Sequence, residues 1–267
     1  MIRLIFSDMD GTLLDDRGHL PAEFGQMYAR LRAHGIRFAP ASGRQYASLV
    51  ETFAPWKDEM IFLAENGTLV MEGGRELFAA PVDPALGLRV MQTGEALTGV
   101  YSVYCGKKQG YIHRADDVPA FRAELEKYVS KSMVTEDFAA VDDVPIKMAF
   151  FDPSGHADTT ILPVMEQYAD RMQVTLSSAL WVDVYAQGVS KGVAAARVQE
   201  HLGLTPDECA AFGDYGNDLE LMDAVTYSFA MANAIPAVQE RARYRAPSNG
   251  EHGVMAVCER ILAGEFD

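Results

Sequence analysis

Two carboxylates, Asp8 and Asp10, stand two residues apart directly after the apolar run at residues 4–6. A short apolar run of this kind predicts a buried strand, and ligands of open α/β sheets bind at the carboxyl ends of strands. Gly11 allows the chain to turn tightly and leave the site. Two acids in so small a space indicate a divalent cation and acid–base or nucleophilic chemistry on an anionic substrate.

A calcium loop is the first alternative for this segment. An EF-hand loop that began at Asp8 would need glycine at its sixth position and glutamate at its twelfth. The chain has Leu13 and His19 there, so the EF-hand is excluded. An ordinary Asp-rich turn remains open when these residues are considered alone.

Further polar or glycine-containing segments follow predicted strands or begin predicted helices. They are Ser42-Gly43-Arg44, Glu65-Asn66-Gly67-Thr68, Ser190-Lys191-Gly192 and Gly213-Asp214-Tyr215-Gly216-Asn217-Asp218. Lys191 follows a predicted N-cap serine, so it lies in the first helical turn, where the helix dipole disfavours a cation by about 0.3–1 kcal/mol. A solvated lysine gains nothing from that placement, whereas a lysine that neutralises bound anions does. The pattern therefore predicts an anion beside Lys191.

The elements that position these segments alternate between strand and helix in the first and last thirds of the chain, which indicates a parallel sheet. We predict strands at residues 4–6, 36–39, 60–64 and 210–212, and helices that begin near residues 24 and 190. For residues 83–185 the sequence pattern instead predicts paired strands and two helices, near 120–131 and 160–170. The predicted fold is α/β: a Rossmann-like parallel core with helices on both faces (1–82 and 186–267) and an inserted, mainly antiparallel α+β domain (83–185).

Composition excludes several classes of function. The chain has 267 residues and a formal net charge of −15, whereas nucleic-acid backbones bind basic surfaces, so no nucleic-acid partner is expected. The three cysteines form no Cys-x-x-Cys pair, which argues against disulfides and zinc. No apolar run reaches the ~18 residues of a membrane span, and no signal-peptide pattern is present. We expect a cytoplasmic protein without a membrane partner, either a monomer or a small homo-oligomer.

Residues 8–12, 42–44, 190–192 and 213–218 resemble, in type and order, the four motifs of the haloacid dehalogenase-like phosphatase superfamily. The insertion between the second and third motifs is similar to the α/β cap of its Cof-like sugar-phosphatase branch. Three further segments, residues 66–68, 231–234 and 249–254, resemble secondary signatures of that branch. The resemblance implies a Mg²⁺-dependent phosphomonoester hydrolase that acts on sugar phosphates or similar small metabolites through an aspartyl-phosphate. The inserted domain would be its specificity-determining cap.

The resemblance also implies catalytic roles. Asp8 would be the nucleophile that attacks phosphorus. Asp10 would protonate the leaving oxygen and later deprotonate the attacking water. Lys191 would neutralise the aspartate and the phosphate, which matters because phosphoryl transfer depends on positioning and charge neutralisation.

The family pattern implies a set of metal ligands. The Asp8 side chain, the Asp10 backbone carbonyl and Asp214 would hold Mg²⁺, a cation that prefers oxygen ligands. Asn217 and Asp218 would orient that shell. An acidic turn that caps the next helix is the alternative for Asp214 and Asp218.

The family pattern also implies phosphate contacts. Ser42 and the backbone amides of Gly43 and Arg44 would donate to phosphoryl oxygens at a helix start, together with Lys191 and Asn217. A simple N-cap serine remains open for Ser42, and a surface salt bridge remains open for Arg44.

Other residues have an ordinary structural interpretation. The pair Asn66-Gly67 fits a type I′ hairpin turn. The aromatics Tyr104, Trp181 and Tyr185 stand at strand spacing and are interpreted as core. Ala232 and His252 depart from the branch pattern, where glycine and an acid are frequent. Both departures put substrate preference or loop shape in doubt and leave the predicted chemistry intact.

Two other functions stay open at this stage. A phosphomutase shares the motifs but returns the phosphoryl group to its product. A binding or regulatory protein would use the same pocket without turnover. A dehalogenase is disfavoured, because that chemistry needs neither Asp10 nor Asp214.

Overall fold

The computed structural model describes residues 1–266. The strands are β1 (Leu4–Ser7), β2 (Arg37–Pro40), β3 (Ile61–Ala64), β4 (Leu69–Glu72), β5 (Arg75–Ala79), β6 (Tyr101–Gly106), β7 (Gly110–His113), β8 (Ser132–Thr135), β9 (Pro145–Phe151), β10 (Met172–Leu176), β11 (Trp181–Ala186), β12 (Cys209–Gly213), β13 (Tyr227–Met231) and β14 (Tyr244–Ala246). The helices are α1 (Phe24–Ala33), α2 (Tyr46–Thr52), α3 (Pro84–Glu95), α4 (Pro119–Leu125), α5 (Ala157–Thr160), α6 (Leu162–Met165), α7 (Lys191–Leu202), α8 (Leu219–Asp223), α9 (Pro236–Arg241) and α10 (Gly253–Leu262). Within the described range, no helix combines the length and apolar character that crossing a membrane requires.

A five-stranded parallel sheet carries three of the predicted site loops. Its order is β14-β13-β12-β1-β2, and each pairing in it is parallel. β1 is buried along its whole length between β12 and β2, as expected for an apolar strand of a covered parallel sheet. Its last residue, Ser7, is level with Phe212 and Pro40. The loops that follow β1, β2 and β12 therefore meet at one edge.

A six-stranded sheet is formed by residues 101–186, in the order β10-β11-β9-β6-β7-β8. Its pairings are antiparallel except that between β7 and β8. Most of its buried apolar side chains form clusters separate from the large cluster of the parallel sheet, to which Ile146 of β9 belongs. The predicted fold class is thus confirmed. The domain boundaries at 82/83 and 185/186 stay a prediction.

The predicted third strand differs from expectation in its pairing. β3 belongs to a three-stranded sheet, β3-β4-β5, with antiparallel pairings. Only one parallel bridge, Ala41 to Leu63, connects it to the end of β2. The physical reason is the tight turn at residues 65–68, which returns the chain at once and gives β3 an antiparallel neighbour.

Two helices of the inserted segment are shorter than predicted. The helix expected over 120–131 ends at Leu125, because the chain turns there towards α2. The helix expected over 160–170 is divided into α5 and α6. Pro163 lies at the start of α6, where its missing N–H is tolerated, and it could not donate within a continuous helix.

Candidate active site

The carboxylate of Asp8 lies directly after β1 and contacts a buried lysine. Lys191 Nζ donates to Asp8 Oδ1 at 2.5 Å and to Asp218 Oδ1 at 2.7 Å. Lys191 is 1% exposed and is the first residue of α7, whose N-cap is Ser190. Burial lowers the pKa of Lys191, but the two carboxylates outweigh this and raise the pKa above its ordinary value. Lys191 is therefore a permanent cation that holds the Asp8 carboxylate.

Asp218 and Asp214 are oriented by separate hydrogen bonds. Asp218 Oδ2 accepts from the backbone amides of Asp214 and Tyr215 at 3.0 and 3.1 Å. The Thr12 hydroxyl donates to Asp214 Oδ1 at 2.6 Å. Gly11 has a positive φ of 77°, and a Cβ at this position would collide with the Asp214 carboxylate. A glycine here thus permits both the turn after β1 and the close approach of Asp214.

The three carboxylates form a donor set suited to a divalent cation. Oxygens of Asp8, Asp214 and Asp218 lie within 4.8 Å of one another. Burial and the neighbouring carboxylates raise the pKa of Asp8 well above its ordinary value, although Lys191 opposes this. Burial and Asp218 raise the pKa of Asp214 to about 7. A cation with oxygen ligands would relieve this repulsion, so the residues fit Mg²⁺.

Asp218 is the least available member of that set. Its two oxygens already accept from Lys191 and from backbone amides. Asp8 and Asp214 keep carboxylate oxygens for a cation, which agrees with the predicted ligand set. The ligand assignment itself stays a prediction.

Asp10 is paired with Arg44. Arg44 Nε donates to Asp10 Oδ2 at 2.8 Å, and its terminal nitrogen donates to Oδ1 at 2.6 Å. The guanidinium carbon lies 5.5 Å from the ring centroid of Tyr128. Of the two alternatives for Arg44, the structure contains the salt bridge. The Arg44 side chain is 12% exposed and the Asp10 side chain is 41% exposed, so the pair is partly buried. The pair fixes the orientation of the Asp10 carboxylate.

Ser42 and Gly43 lie in the loop between β2 and α2. Ser42 is 1% exposed, and its hydroxyl oxygen accepts from the Arg44 amide at 3.1 Å. α2 begins only at Tyr46, so this loop is not the helix start that was predicted for it. Both residues nevertheless line the same cavity as Asp8. Their role as phosphate ligands stays a prediction.

The pair Asn66-Gly67 forms the predicted turn and also extends the site. Asn66 has φ 58° and ψ 27°, Gly67 has φ 90°, and the Thr68 amide donates to Glu65 O at 3.2 Å, as in a type I′ turn. The Asn66 side chain is buried. It donates to Asp183 Oδ2 at 2.7 Å and accepts from Asn217 at 3.0 Å. The turn thus connects the predicted Asn217 to the six-stranded sheet.

Lys147 is a buried residue of this region that sequence reasoning missed. On β9, it donates to the Gly43 carbonyl at 2.8 Å and contacts Glu65 Oε2 at 2.7 Å and Asp183 Oδ1 at 3.6 Å. All of β9 is buried. A lysine within the apolar run 146–151 was the signal that could have identified it, because an isolated charge is rarely buried without partners.

The secondary signatures brace the turn after β1. Asn233 donates to Gly11 O at 2.7 Å and accepts from the Asn249 amide at 3.1 Å. His252, where the branch pattern has an acid, has a positive φ of 53° and contacts Glu23 at 2.6 Å. Because these contacts lie behind the turn, this departure leaves the carboxylate cluster unchanged.

One cavity, open to solvent, is lined by Asp8 and Asp10, whereas Lys191 and Asp214 lie beside Asp8 and do not line it. From the parallel core and its loops it is lined by Asp8, Asp10, Ser42, Gly43, Arg44, Tyr215 and Asn217. From the six-stranded sheet and adjoining loops it is lined by Val103, Cys105, Tyr128, Val129, Lys147, Ala149, Ser177, Ser178, Trp181 and Asp183. Of the aromatics interpreted as core, Trp181 lines this cavity, whereas Tyr104 and Tyr185 are buried away from it.

Residues 5–257 match the family model of haloacid dehalogenase-like hydrolases. The chain belongs to that family. It is 32% identical to the 5-amino-6-(5-phospho-D-ribitylamino)uracil phosphatase YbjI of Escherichia coli K12, over 99% of this chain and 97% of that protein. SMU.1108c from Streptococcus mutans has the same fold, with a TM-score of 0.90 at 26% identity over 98% of this chain and 100% of that one.

A third comparison concerns the fold. The subclass IIB sugar phosphatase BT4131 shares the fold with a TM-score of 0.82 at 18% identity, over 97% of this chain and 98% of that one. The predicted Cof-like haloacid dehalogenase family is confirmed, and the chain is a phosphatase.

Proposed function

We propose that this phosphatase hydrolyses small phosphomonoesters in a Mg²⁺-dependent reaction, with Asp8 as the nucleophile. The observation that carries the proposal is that Asp8, which lines the cavity, contacts the buried Lys191 and lies beside the Asp214 carboxylate. The Escherichia coli relative is named for a phosphorylated ribitylaminouracil, which supports a small phosphorylated metabolite as substrate.

In the first step, an Asp8 oxygen attacks phosphorus and the bond from phosphorus to the alcohol oxygen breaks. Asp10 gives its proton to that oxygen, and the neutral alcohol leaves. The Asp10 side chain is 41% exposed, so the leaving oxygen can reach it. Both Asp10 oxygens accept from Arg44, so one of these two bonds must be released at the oxygen that carries the proton.

In the second step, water attacks the phosphorus of the aspartyl-phosphate. Asp10, now a carboxylate, accepts a proton from the water, and the bond from phosphorus to the Asp8 oxygen breaks. Inorganic phosphate leaves, and Asp8 returns as a carboxylate. Asp10 acts as an acid first and as a base second, so its proton balance closes over one turnover.

Positive charge is needed in both steps because phosphoryl oxygens carry the developing charge. Lys191 supplies one fixed charge at Asp8. Bound Mg²⁺, held by Asp8, the Asp10 carbonyl and Asp214, would supply further positive charge and keep Asp8 ionised. Ser42, the Gly43 amide and Asn217 would orient the phosphoryl group by hydrogen bonds.

Phosphate release from a panel of phosphomonoesters, with Mg²⁺ and with chelator, tests the reaction. We expect release only with Mg²⁺, and a loss of about 10³-fold or more in the Asp8→Asn variant. Asp170→Asn, which changes an exposed aspartate, is the matched control and should retain full activity.

The alternatives give different results in the same assay. A mutase would consume substrate and form an isomer without free phosphate. A binding protein would bind phosphate esters without consuming them. Full activity of Asp8→Asn would exclude the aspartyl-phosphate mechanism.

A further inference from the structure

The part of the cavity lined by the six-stranded sheet and its adjoining loops includes apolar and aromatic side chains. Val103 and Ala149 come from β6 and β9, Trp181 from β11, and Tyr128 and Val129 from the turn beyond α4. A wall of this kind binds apolar surface and ring faces.

Four polar side chains on the same wall already have partners within the protein. Lys147 is bonded to Gly43 O and Glu65. Asp183 Oδ2 accepts from Asn66 and from the Ser177 hydroxyl, the latter at 2.6 Å.

A fourth polar group on this wall is likewise used internally. The Ser178 hydroxyl oxygen accepts from the Leu180 amide at 3.1 Å. A site that selects a sugar by its hydroxyls needs polar groups directed at the ligand and otherwise unpaired. The pairing of Lys147, Asp183 and Ser177 therefore leaves fewer polar groups on this wall for the hydroxyls of a bare polyol or hexose.

Trp181 and Tyr128 form an aromatic corner in this wall. Their ring centroids are 5.7 Å apart and their planes meet at 69°. Both rings line the cavity, so a planar ligand ring would find a stacking partner in this corner.

We propose that this phosphatase selects monoesters whose alcohol carries a planar heteroaromatic ring, which packs against Trp181 and Tyr128. This specificity rests on the proposed function, because it concerns the leaving group of that reaction. The phosphoryl group would lie at Asp8, and the ring would lie against the aromatic corner. Ring-free sugar phosphates would reach the same catalytic groups but lack the contact that selects the substrate.

Matched substrate pairs test the proposal. Uridine 5′-phosphate is compared with ribose 5-phosphate, and flavin mononucleotide with ribitol 5-phosphate, so that each pair differs by one ring. We expect kcat/KM to be about tenfold higher or more for the ring-bearing member, the scale of one aromatic stacking contact. The ratio should fall by about tenfold in Trp181→Leu and Tyr128→Leu.

Tyr101→Leu is the matched control variant. Tyr101 stacks on Phe121 at 4.7 Å in the same aromatic cluster as Trp181, but it does not line the cavity. The Tyr101→Leu variant should lose a similar amount of packing. Its ratio of kcat/KM within each substrate pair should stay within about twofold of that of the unchanged protein. A ratio that falls equally in this variant would show that the effect is merely structural and would overturn the proposal.

Fluorescence gives a second measurement that does not depend on turnover. In a variant that combines Asp8→Asn with Trp56→Phe, Trp181 is the sole tryptophan of the chain. Ring-bearing esters should quench it, and their ring-free counterparts should not. Equal hydrolysis of both members of each pair, without selective quenching, would overturn the ring proposal and leave the phosphatase proposal intact. If no ester released phosphate, the proposed function would fail, and the quenching alone would decide for or against the ring site.

Discussion

Two lysines of this chain are almost completely buried, and each is balanced by two carboxylates. Lys191 holds the candidate nucleophile, whereas Lys147 lies between Glu65 and Asp183. Burial opposes the charge of Lys147, but Asp183, Glu65 and the buried Cys105 outweigh it and raise its pKa above the ordinary range. Burial also raises the pKa of Glu65, although Lys147 opposes this. The ionised lysine therefore stabilises the fold below its unfolded-state pKa and would lose that effect only as the pH rises through its folded-state pKa.

The Lys147→Met variant should be destabilised in a pH-dependent way. Without the cation, Glu65 and Asp183 are two buried acids with no opposing charge, which costs about 3–5 kcal/mol near pH 8. A carboxylate whose folded-state pKa is raised takes up a proton more readily when folded, so acidification stabilises the folded variant. We expect the deficit in unfolding free energy, measured by urea titration, to shrink between about pH 8 and about pH 5.5.

Lys107→Met is the control for this change. Lys107 pairs with Glu76 at the surface, where ion pairs contribute about 0–1 kcal/mol. The change in unfolding free energy caused by Lys107→Met should be small and nearly constant over the same pH range. A constant deficit in Lys147→Met would show that protonation of Glu65 does not contribute to the stability of the folded variant.

At the scale of the elements, the turn between β3 and β4 packs against the start of α7. A Cβ on Gly67 would lie 2.6 Å from Ser190 O and 2.8 Å from Ala194 Cβ. Gly67→Ala should therefore displace the helix start that carries Lys191. Gly74→Ala is the control, because Gly74 also has a positive φ, of 78°, but has no atom within 4 Å of such a Cβ.

Both alanine variants lose about 1–2 kcal/mol from the unfavourable backbone conformation. The Gly67 variant should lose more than this and should also lose phosphatase activity. Thermal unfolding and phosphate release, measured on both variants, separate the two effects. Equal losses of stability with unchanged activity would contradict the coupling between this turn and Lys191.

The sequence predicted most accurately those elements that are specified by a few neighbouring residues. The apolar run of β1, the N-cap of α7 and the order of the acidic loops are visible in a few neighbouring residues. The pairing of β3 could not be predicted in this way, because the periodicity of apolar residues does not reveal which strand will be its neighbour in a sheet. Lys147 and Asp183 were missed for the same reason: their partners lie about 80 and 117 residues away along the chain, so only the folded structure brings them together.

At the scale of the whole molecule, the parallel core and the six-stranded sheet meet at a second place besides Lys147. The Gln45 side chain donates to Lys131 O at 3.0 Å and accepts from the Lys131 amide at 2.9 Å. The Ser48 hydroxyl donates to Tyr128 O at 2.8 Å and accepts from the Ser130 amide at 2.9 Å. These bonds hold the turn that carries Tyr128 against α2 and so close one side of the cavity.

If the segment 83–185 moves as a cap, as its predicted role requires, these bonds must form on closure and break on opening. The double variant Gln45→Ala/Ser48→Ala should shift the equilibrium towards the open form, since each hydrogen bond contributes about 0.5–1.5 kcal/mol. We expect KM to rise about fivefold or more and amide hydrogen exchange at residues 128–131 to accelerate. Thr52→Ala, which removes a hydroxyl bonded only within α2 at Ser48 O, should change neither. Faster exchange with an unchanged KM would mean that the turn is held by these bonds but that its closure does not retain the substrate.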